Sequence, residues 1–277
     1  MLQENKDSAS DLIGAGRVVC KIQYDGSAFH GWQMQRDNLP SVQQSLQKAL
    51  SMVANEPIEL VCAGRTDAKV HATGQIVHFD TTVTRSRNSW LKGVNTYLPT
   101  GICLSWLDNT TSDFHARFSA TARRYRYLIY NDAIKPALMS HLLTWSYWPL
   151  DAARMHEAAQ SLVGENDFSS FRAAECQSNT PFRNVHFINV SRKNKLIEVD
   201  IQANAFLHHM VRNIVGVLMQ IGSERAPVNW IDEVLHARDR RKGGVTAPPF
   251  GLYLVKVIYP DHFSIPEEEL GPYFLNM

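Results

Sequence analysis

Residues 58–80 read IELVCAGRTDAKVHATGQIVHFD, and their pattern sets the architecture. Two apolar runs, 58–63 and 74–80, have strand length and flank the polar loop GRTDAKVHAT. Two strands in succession exclude a simple alternation of strand and helix, so the neighbouring elements decide the topology. Upstream, Val18, Cys20, Ile22 and Tyr24 alternate with Val19, Lys21, Gln23 and Asp25, which predicts a strand with one buried face. The turn-rich stretch DGSAFHGWQ follows, and Ser41 then opens a helical segment with Val42, Leu46, Leu50 and Val53 along one side. Downstream, Trp90, Leu91, Val94 and Leu98 fall at helical spacing over 87–98, and GICLSWLD closes the unit as a strand. The order is strand, helix, strand, strand, helix, strand.

The second half repeats that order. ARRYRYLIY is a strand with Tyr125, Tyr127 and Ile129 on one face. Asp151 is a good N-cap for a helix over 151–163, which Gly164 follows. FRNVHFINV and KLIEVDIQA are strands across a charged turn, and 207–221 is a helix with Leu207, Met210, Val211, Ile214, Leu218 and Ile221 on one side. An extra helix at 229–238 precedes the final strand, LYLVKVIY. The expected class is α+β: two ferredoxin-like βαββαβ units with antiparallel sheets. The expected bounds are a flexible leader at 1–16, a first unit at 17–116 and a second at 117–277.

With 277 residues and 44% apolar content, the chain can bury a core without disulfides or a metal staple. It has no run of about 18 apolar residues to span a membrane. Glu4, Asp7 and Asp11 stand where a signal peptide needs positive charge, so the expected compartment is the cytoplasm. Cys20, Cys62, Cys103 and Cys176 form no C-x-x-C pair and read as buried, reduced thiols. No H-E-x-x-H or Cys/His cluster suggests zinc. Net charge is only +1, but basic residues cluster at 123–126, 192–195 and 238–242.

Three places could carry chemistry. Gly64-Arg65-Thr66-Asp67 leaves an apolar strand, where polar groups can be held rigidly and still reach solvent. Asp67 suits a nucleophile or general base beside Arg65; the plain alternative is a turn in which Asp67 and Thr66 cap local backbone. Arg212 lies inside an apolar helix, where it either snorkels to water or pairs with a buried carboxylate. Tyr125 and Tyr127 interleave with Arg123, Arg124 and Arg126, as a base-stacking, phosphate-holding platform would, or as a sheet with tyrosines inside and arginines outside.

Taken together, AGRTDAKVHATGQIVHF resembles the signature loop of the TruA family of tRNA pseudouridine synthases. YDGSAFHGWQ at 24–33, RRYRYLIY at 123–130, DFSSFRAAECQSNTPFRNV at 167–185, NAFLHHMVRNIVG at 204–216 and APPFGLYL at 247–254 are similar to that family in the same order. The likeness runs from about Arg17 to about Pro260. It implies a pseudouridine synthase-type fold around a central cleft. The implied enzyme is an isomerase that converts uridines 38, 39 and 40 of the tRNA anticodon stem-loop without cofactor or metal, acting as a homodimer. By motif, Asp67 is implied as the nucleophile and Arg212 as its ion-pair partner. Tyr125 is implied to stack on the target base, Leu252 to pack against it, and Arg65 to admit the flipped nucleotide.

These residue types suit the chemistry. The N1–C1′ bond must break and the uracil must stay, so a second carboxylate to activate water would be harmful. The next acids in sequence, Glu59 and Asp80, form no metal-binding pattern, which counts against a nucleoside or phosphate hydrolase. An RNA-binding protein without catalysis would keep the basic clusters yet could dispense with Asp67 and Arg212. Two departures from the family pattern stand out: Lys69 and Ala72 where glycine is common, and Phe250 where histidine is common. A left-handed backbone at 69 would cost a lysine about 1 kcal/mol; alternatively the lysine adds a phosphate contact.

Overall fold

A computed structural model describes residues 11–35, 39–267 and 269–275. Contacts divide these residues into two compact units. The first contains the described residues up to Ala68, Ala72–Ala120, and those from Tyr259 onward; the second contains Lys69–His71 and Thr121–Ile258. The C-terminal stretch therefore clusters with the first unit, whereas sequence order alone groups 117–277 together. Most of the expected leader lies outside the described residues, and Leu12–Gly16 already belong to a strand.

In the first unit the order is β1 (Leu12–Tyr24), α1 (Val42–Ala54), β2 (Val61–Cys62), β3 (His71–Ser86), α2 (Arg87–Tyr97) and β4 (Ile102–Asn109). The strands lie side by side as β4-β1-β3-β2, all antiparallel. Ser41 caps α1 by accepting from the Gln44 N–H, and Ser86 caps α2 through Ser89. Phe79 of β3 meets Trp90 of α2 at 5.7 Å between centroids, which marks the helix-covered face.

The alternation in β1 predicts one buried face, but Val18, Val19, Cys20, Lys21 and Ile22 are all buried. The reason is a second cover. On the sheet's other face, Phe114 packs against His78, Tyr259 and Phe263 at 5.0–5.9 Å. The Tyr259 hydroxyl donates to the Ala116 carbonyl, and Gln23 Nε2 donates to the Tyr273 hydroxyl. A sheet covered on both faces loses its polar alternation.

In the second unit, β5 (Ala122–Asn131), α3 (Ala152–Ala159), β8 (Phe182–Lys193), β9 (Leu196–Ala203), α4 (Met210–Gly222) and β10 (Leu252–Ile258) repeat the pattern. Their order, β10-β5-β9-β8, matches the first unit strand for strand. Three additions decorate it. β6 (Thr144–Ser146) runs parallel to the end of β5, β7 (Gly164–Asp167) extends the edge beyond β8, and α5 (Trp230–Ala237) follows α4. Asp151 caps α3 by accepting from the Ala153 and Arg154 N–H groups. The α+β class and the antiparallel sheets are as expected, with the β5–β6 pair the parallel exception. All four cysteines are free: Cys20 is fully buried, Cys62 and Cys176 are partly buried, and Cys103 faces outward on the edge strand β4.

Candidate functional site

The first part of the site is the loop between β2 and β3. Hydrogen bonds from outside the loop hold its shape. The Thr66 carbonyl accepts from the Trp32 N–H at 3.0 Å, and the Thr66 hydroxyl shares a 2.8 Å hydrogen bond with the Tyr24 hydroxyl. The Gly64 carbonyl accepts from Gln75 Nε2 at 2.7 Å. Gly31 has φ 92° and would place a Cβ 2.8 Å from the Thr66 carbonyl oxygen, so only glycine allows this approach. The next residues hold the N-terminus of α1: the Val42 and Gln43 N–H groups donate to the Gly31 and Trp32 carbonyls. The YDGSAFHGWQ and GRTDA segments are therefore one built unit. It leaves Arg65 exposed and Asp67 half-buried. Asp80, the next acid along the chain, is committed to Arg17 at 2.8 Å.

Just past Asp67, Lys69–His71 cluster with the second unit. Lys69 has φ 66°, in the left-handed region, and its ammonium lies 5.4 Å from the Phe250 ring centroid. The two departures from the family pattern are thus partners. The buried His71 donates from Nε2 to the Phe250 carbonyl at 3.0 Å and stacks on Tyr253 at 4.7 Å.

The remaining candidates lie in the second unit. Tyr125, Tyr127 and Ile129 do share a face, and Leu254 and Leu252 of β10 stand opposite the two tyrosines. The tyrosines differ in their commitments. The Tyr127 hydroxyl bonds Thr144 at 2.6 Å and donates to the Pro248 carbonyl at 2.7 Å, and burial pushes its phenol pKa up. Tyr125 meets Phe206 edge to face at 5.0 Å. Leu252 is buried at the start of β10.

The arginines of β5 divide between the two faces, with Arg123 on the side of the tyrosines and donating to the Asn204 carbonyl at 3.2 Å. Arg124 and Arg126 project from the opposite face, where Arg124 pairs with Asp200 at 2.6 Å and Arg126 lies 3.4 Å from Glu198. The basic run at 238–242 is likewise engaged: Arg238 with Asp167, Arg241 with Asp239, and Arg240 with Asn213 and Thr246.

Arg212 of α4 is half-buried, and a backbone clamp holds it. Its Nε donates to the Ala247 carbonyl at 2.8 Å, while the Ala247 N–H donates to the Arg212 carbonyl at 3.1 Å. One turn on, a Cβ at Gly216 would lie 1.9 Å from the Val245 carbonyl oxygen. Glycine there is what lets 245–247 lie against the helix. The adjacent Asn213, which sequence reasoning passed over, is a buried hub. Its Nδ2 donates to the Phe171 carbonyl at 2.8 Å, and its Oδ1 accepts from Thr246 and Arg240. A polar residue next to Arg212 in so apolar a helix was the available signal. Among the described residues, no helix is long and apolar enough to cross a membrane.

A family model described as tRNA pseudouridine synthase matches residues 21–119 and 158–260. A Pseudomonas aeruginosa protein named tRNA pseudouridine synthase A is 55% identical over 267 residues, covering 96% of this chain and 94% of the relative. Proteins of the same name from Citrobacter koseri and Shewanella denitrificans are each 57% identical over 259 residues. Those matches cover 94% of this chain and 96% and 99% of the two relatives. The match takes in the anchored loop of the first unit and the β5, α4 and β10 segments of the second, and with both units accounted for the chain belongs to the tRNA pseudouridine synthase family, isomerases acting on uridine in tRNA.

Proposed function

We propose that this protein converts uridine to pseudouridine at positions 38, 39 and 40 of the tRNA anticodon stem-loop, with Asp67 as the catalytic carboxylate. The observation that carries the reading is the externally braced loop: Trp32 and Gln75 hold the Thr66 and Gly64 carbonyls, and Tyr24 holds the Thr66 hydroxyl, on the N-terminal side of Asp67. A reacting group gains most when its position is set before substrate arrives.

The reaction breaks N1–C1′, turns the uracil and joins C5 to C1′. The C5 proton leaves and N1 gains one, so the step is an isomerisation with no external reagent. A single carboxylate can begin it, by attack at C1′ or as a base at the ribose. We assign Arg212 to pair with Asp67 and hold it ionised, a role its clamp to Ala247 suits because Nε is engaged and the planar fork is oriented. Tyr125 is assigned to stack on the extruded uracil, Leu252 to pack against it, and Arg65, exposed at the loop, to admit the nucleotide. The protein is assigned to the cytoplasm as a homodimer, with no cofactor or metal in the reaction.

The test is nucleoside mass spectrometry with site mapping on an unmodified tRNA transcript, comparing wild type, Asp67→Asn and Tyr125 variants. Wild type should yield pseudouridine in the anticodon stem-loop, and Asp67→Asn should fold, bind tRNA and yield none. Turnover near wild type in Asp67→Asn removes Asp67 from the mechanism. Equal loss of tRNA affinity in Tyr125→Phe and Tyr125→Ala contradicts a role for the ring face.

A further inference from the structure

Residues 114–119 of the first unit form a knuckle that the chemistry above does not use. Its inner side is anchored at three points. The Ala116 N–H donates to His78 Nδ1 at 3.1 Å, the Ala116 carbonyl accepts from the Tyr259 hydroxyl at 2.6 Å, and the Phe114 carbonyl accepts from Arg17 at 2.8 Å. The tip is braced as well. His115 Nδ1 accepts from the Arg117 and Phe118 N–H groups, both at 3.2 Å. The His115 N–H donates to the Ser119 hydroxyl, and the Ser119 N–H returns to the His115 carbonyl.

What this bracing presents is an aromatic ring in water. Phe118 is 76% exposed, although the His115 ring stacks on it at 4.3 Å and 27°, and the Arg117 guanidinium lies 5.6 Å from its centroid. Single exposed apolar residues are ordinary, but a phenyl ring fixed by four hydrogen bonds at its base and left outside the core is preorganised for a flat partner.

The knuckle also neighbours the Asp67 loop within the same unit. Val61 of β2 pairs with His78, and the His78 ring meets His115 at 5.0 Å. Two and three residues beyond β2 the chain reaches Gly64 and Arg65. Burial raises the Cys62 thiol pKa to about 11, and the charges of both Arg65 and Arg117 pull against that rise.

We propose that Phe118 is a stacking post for an unpaired nucleobase of the RNA substrate, and that Arg117, together with Arg65, holds the adjoining phosphates. The chemistry follows from the parts: an aromatic face takes a base of any sequence, and arginine beside it neutralises the backbone. This inference rests on the reading of the protein as a tRNA-modifying enzyme.

The experiment is equilibrium binding of a tRNA transcript across a salt series, for wild type, Phe118→Ala, Phe118→Trp and Arg117→Gln, with melting temperature and sedimentation alongside. Because Phe118 is mostly exposed, its variants should melt as wild type does. Phe118→Ala should weaken tRNA binding by about 5- to 150-fold, and Phe118→Trp should restore it. Arg117→Gln should reduce the slope of log K against log salt by about 1. Phe118→Ala within twofold of an active wild type overturns the inference alone. So does a variant that loses self-association while keeping tRNA affinity. A wild type that neither binds nor modifies tRNA overturns the functional reading, and this inference with it.

Discussion

Gly216→Ala is a one-methyl change with opposing consequences that the structure can rank. Within an isolated helix, replacing glycine by alanine stabilises by about 1 kcal/mol. Here the added Cβ would fall 1.9 Å from the Val245 carbonyl oxygen, a backbone atom that cannot rotate aside. Relief requires 245–247 to retreat by roughly 1 Å, because real Cβ contacts essentially never fall under 3.0 Å. That movement pulls at both bonds of the Arg212–Ala247 clamp, at 2.8 and 3.1 Å. Overpacking costs about 1–3 kcal/mol, and each strained hydrogen bond about 1 kcal/mol more. The net expectation is destabilisation by about 2–4 kcal/mol, or a melting temperature lower by about 2–4 °C for each kcal/mol. Activity should fall further than stability, since the clamp orients the guanidinium assigned to Asp67. Calorimetry with release of tritium from C5-labelled tRNA uridine measures both quantities. A variant that melts higher than wild type and keeps full activity would refute the reasoning: helix propensity would have won and the contact would carry no function.

Other substitutions probe other links. Lys69→Gly gives up a cation–π contact of about 0.5–1 kcal/mol but relieves a left-handed backbone worth about 1 kcal/mol. Its stability should therefore stay near wild type, while Lys69→Ala loses the contact and keeps the strain; equal melting temperatures for the two variants would contradict this. Asn213→Ala removes the donor to the Phe171 carbonyl and the acceptor of the Thr246 hydroxyl, leaves Arg240 only its bond to Thr246, and should cost about 1–3 kcal/mol in denaturant unfolding. Burial, then the charge of Arg17, lowers the His78 pKa from 6.5 to about 4. A folded pKa below the unfolded one means the contribution of the neutral ring is complete above pH 6.5 and is lost as pH falls toward 4. Melting scans between pH 7 and 4.5 should show that loss, and it should shrink in a His78→Asn variant.

Most of the fold was legible because it is written in apolar periodicity. The strand at 122–130, the helices at 87–98 and 207–221 and the final strand at 252–259 lie within a few residues of β5, α2, α4 and β10. The misses have physical causes. β3 runs on to Ser86 through TTVTRS, where β-branched residues sustain a strand without apolar alternation. β6 and β7 are short and largely polar, so no period existed to read. The two-sided burial of β1 depends on Phe114 and on residues past 258, far away in sequence. For the candidate site, residue types pointed to Asp67, Arg212 and Tyr125, but their supports were hidden. Arg126 opposes Asp200 only because of the β5–β9 register, so a run that reads as basic is half neutralised. The Thr66–Tyr24 bond depends on the distant strand β1, and the Arg212–Ala247 clamp on a segment thirty-five residues past the helix position.

The return of the chain after Tyr259 to the first unit bears on how the protein is made. Synthesis delivers β1 through β4 early, yet Tyr259, Phe263 and Tyr273, which pack against Phe114, Ala116 and Gln23, leave the ribosome only after the whole second unit. The first unit must wait, with one face of its sheet uncovered, while the contiguous 121–258 stretch can already collapse. Nascent chains stalled before residue 259 should therefore expose the face around Val19, His78 and Phe114 to chaperones. The expected order of maturation is the reverse of the order of translation, with the half made second finishing first.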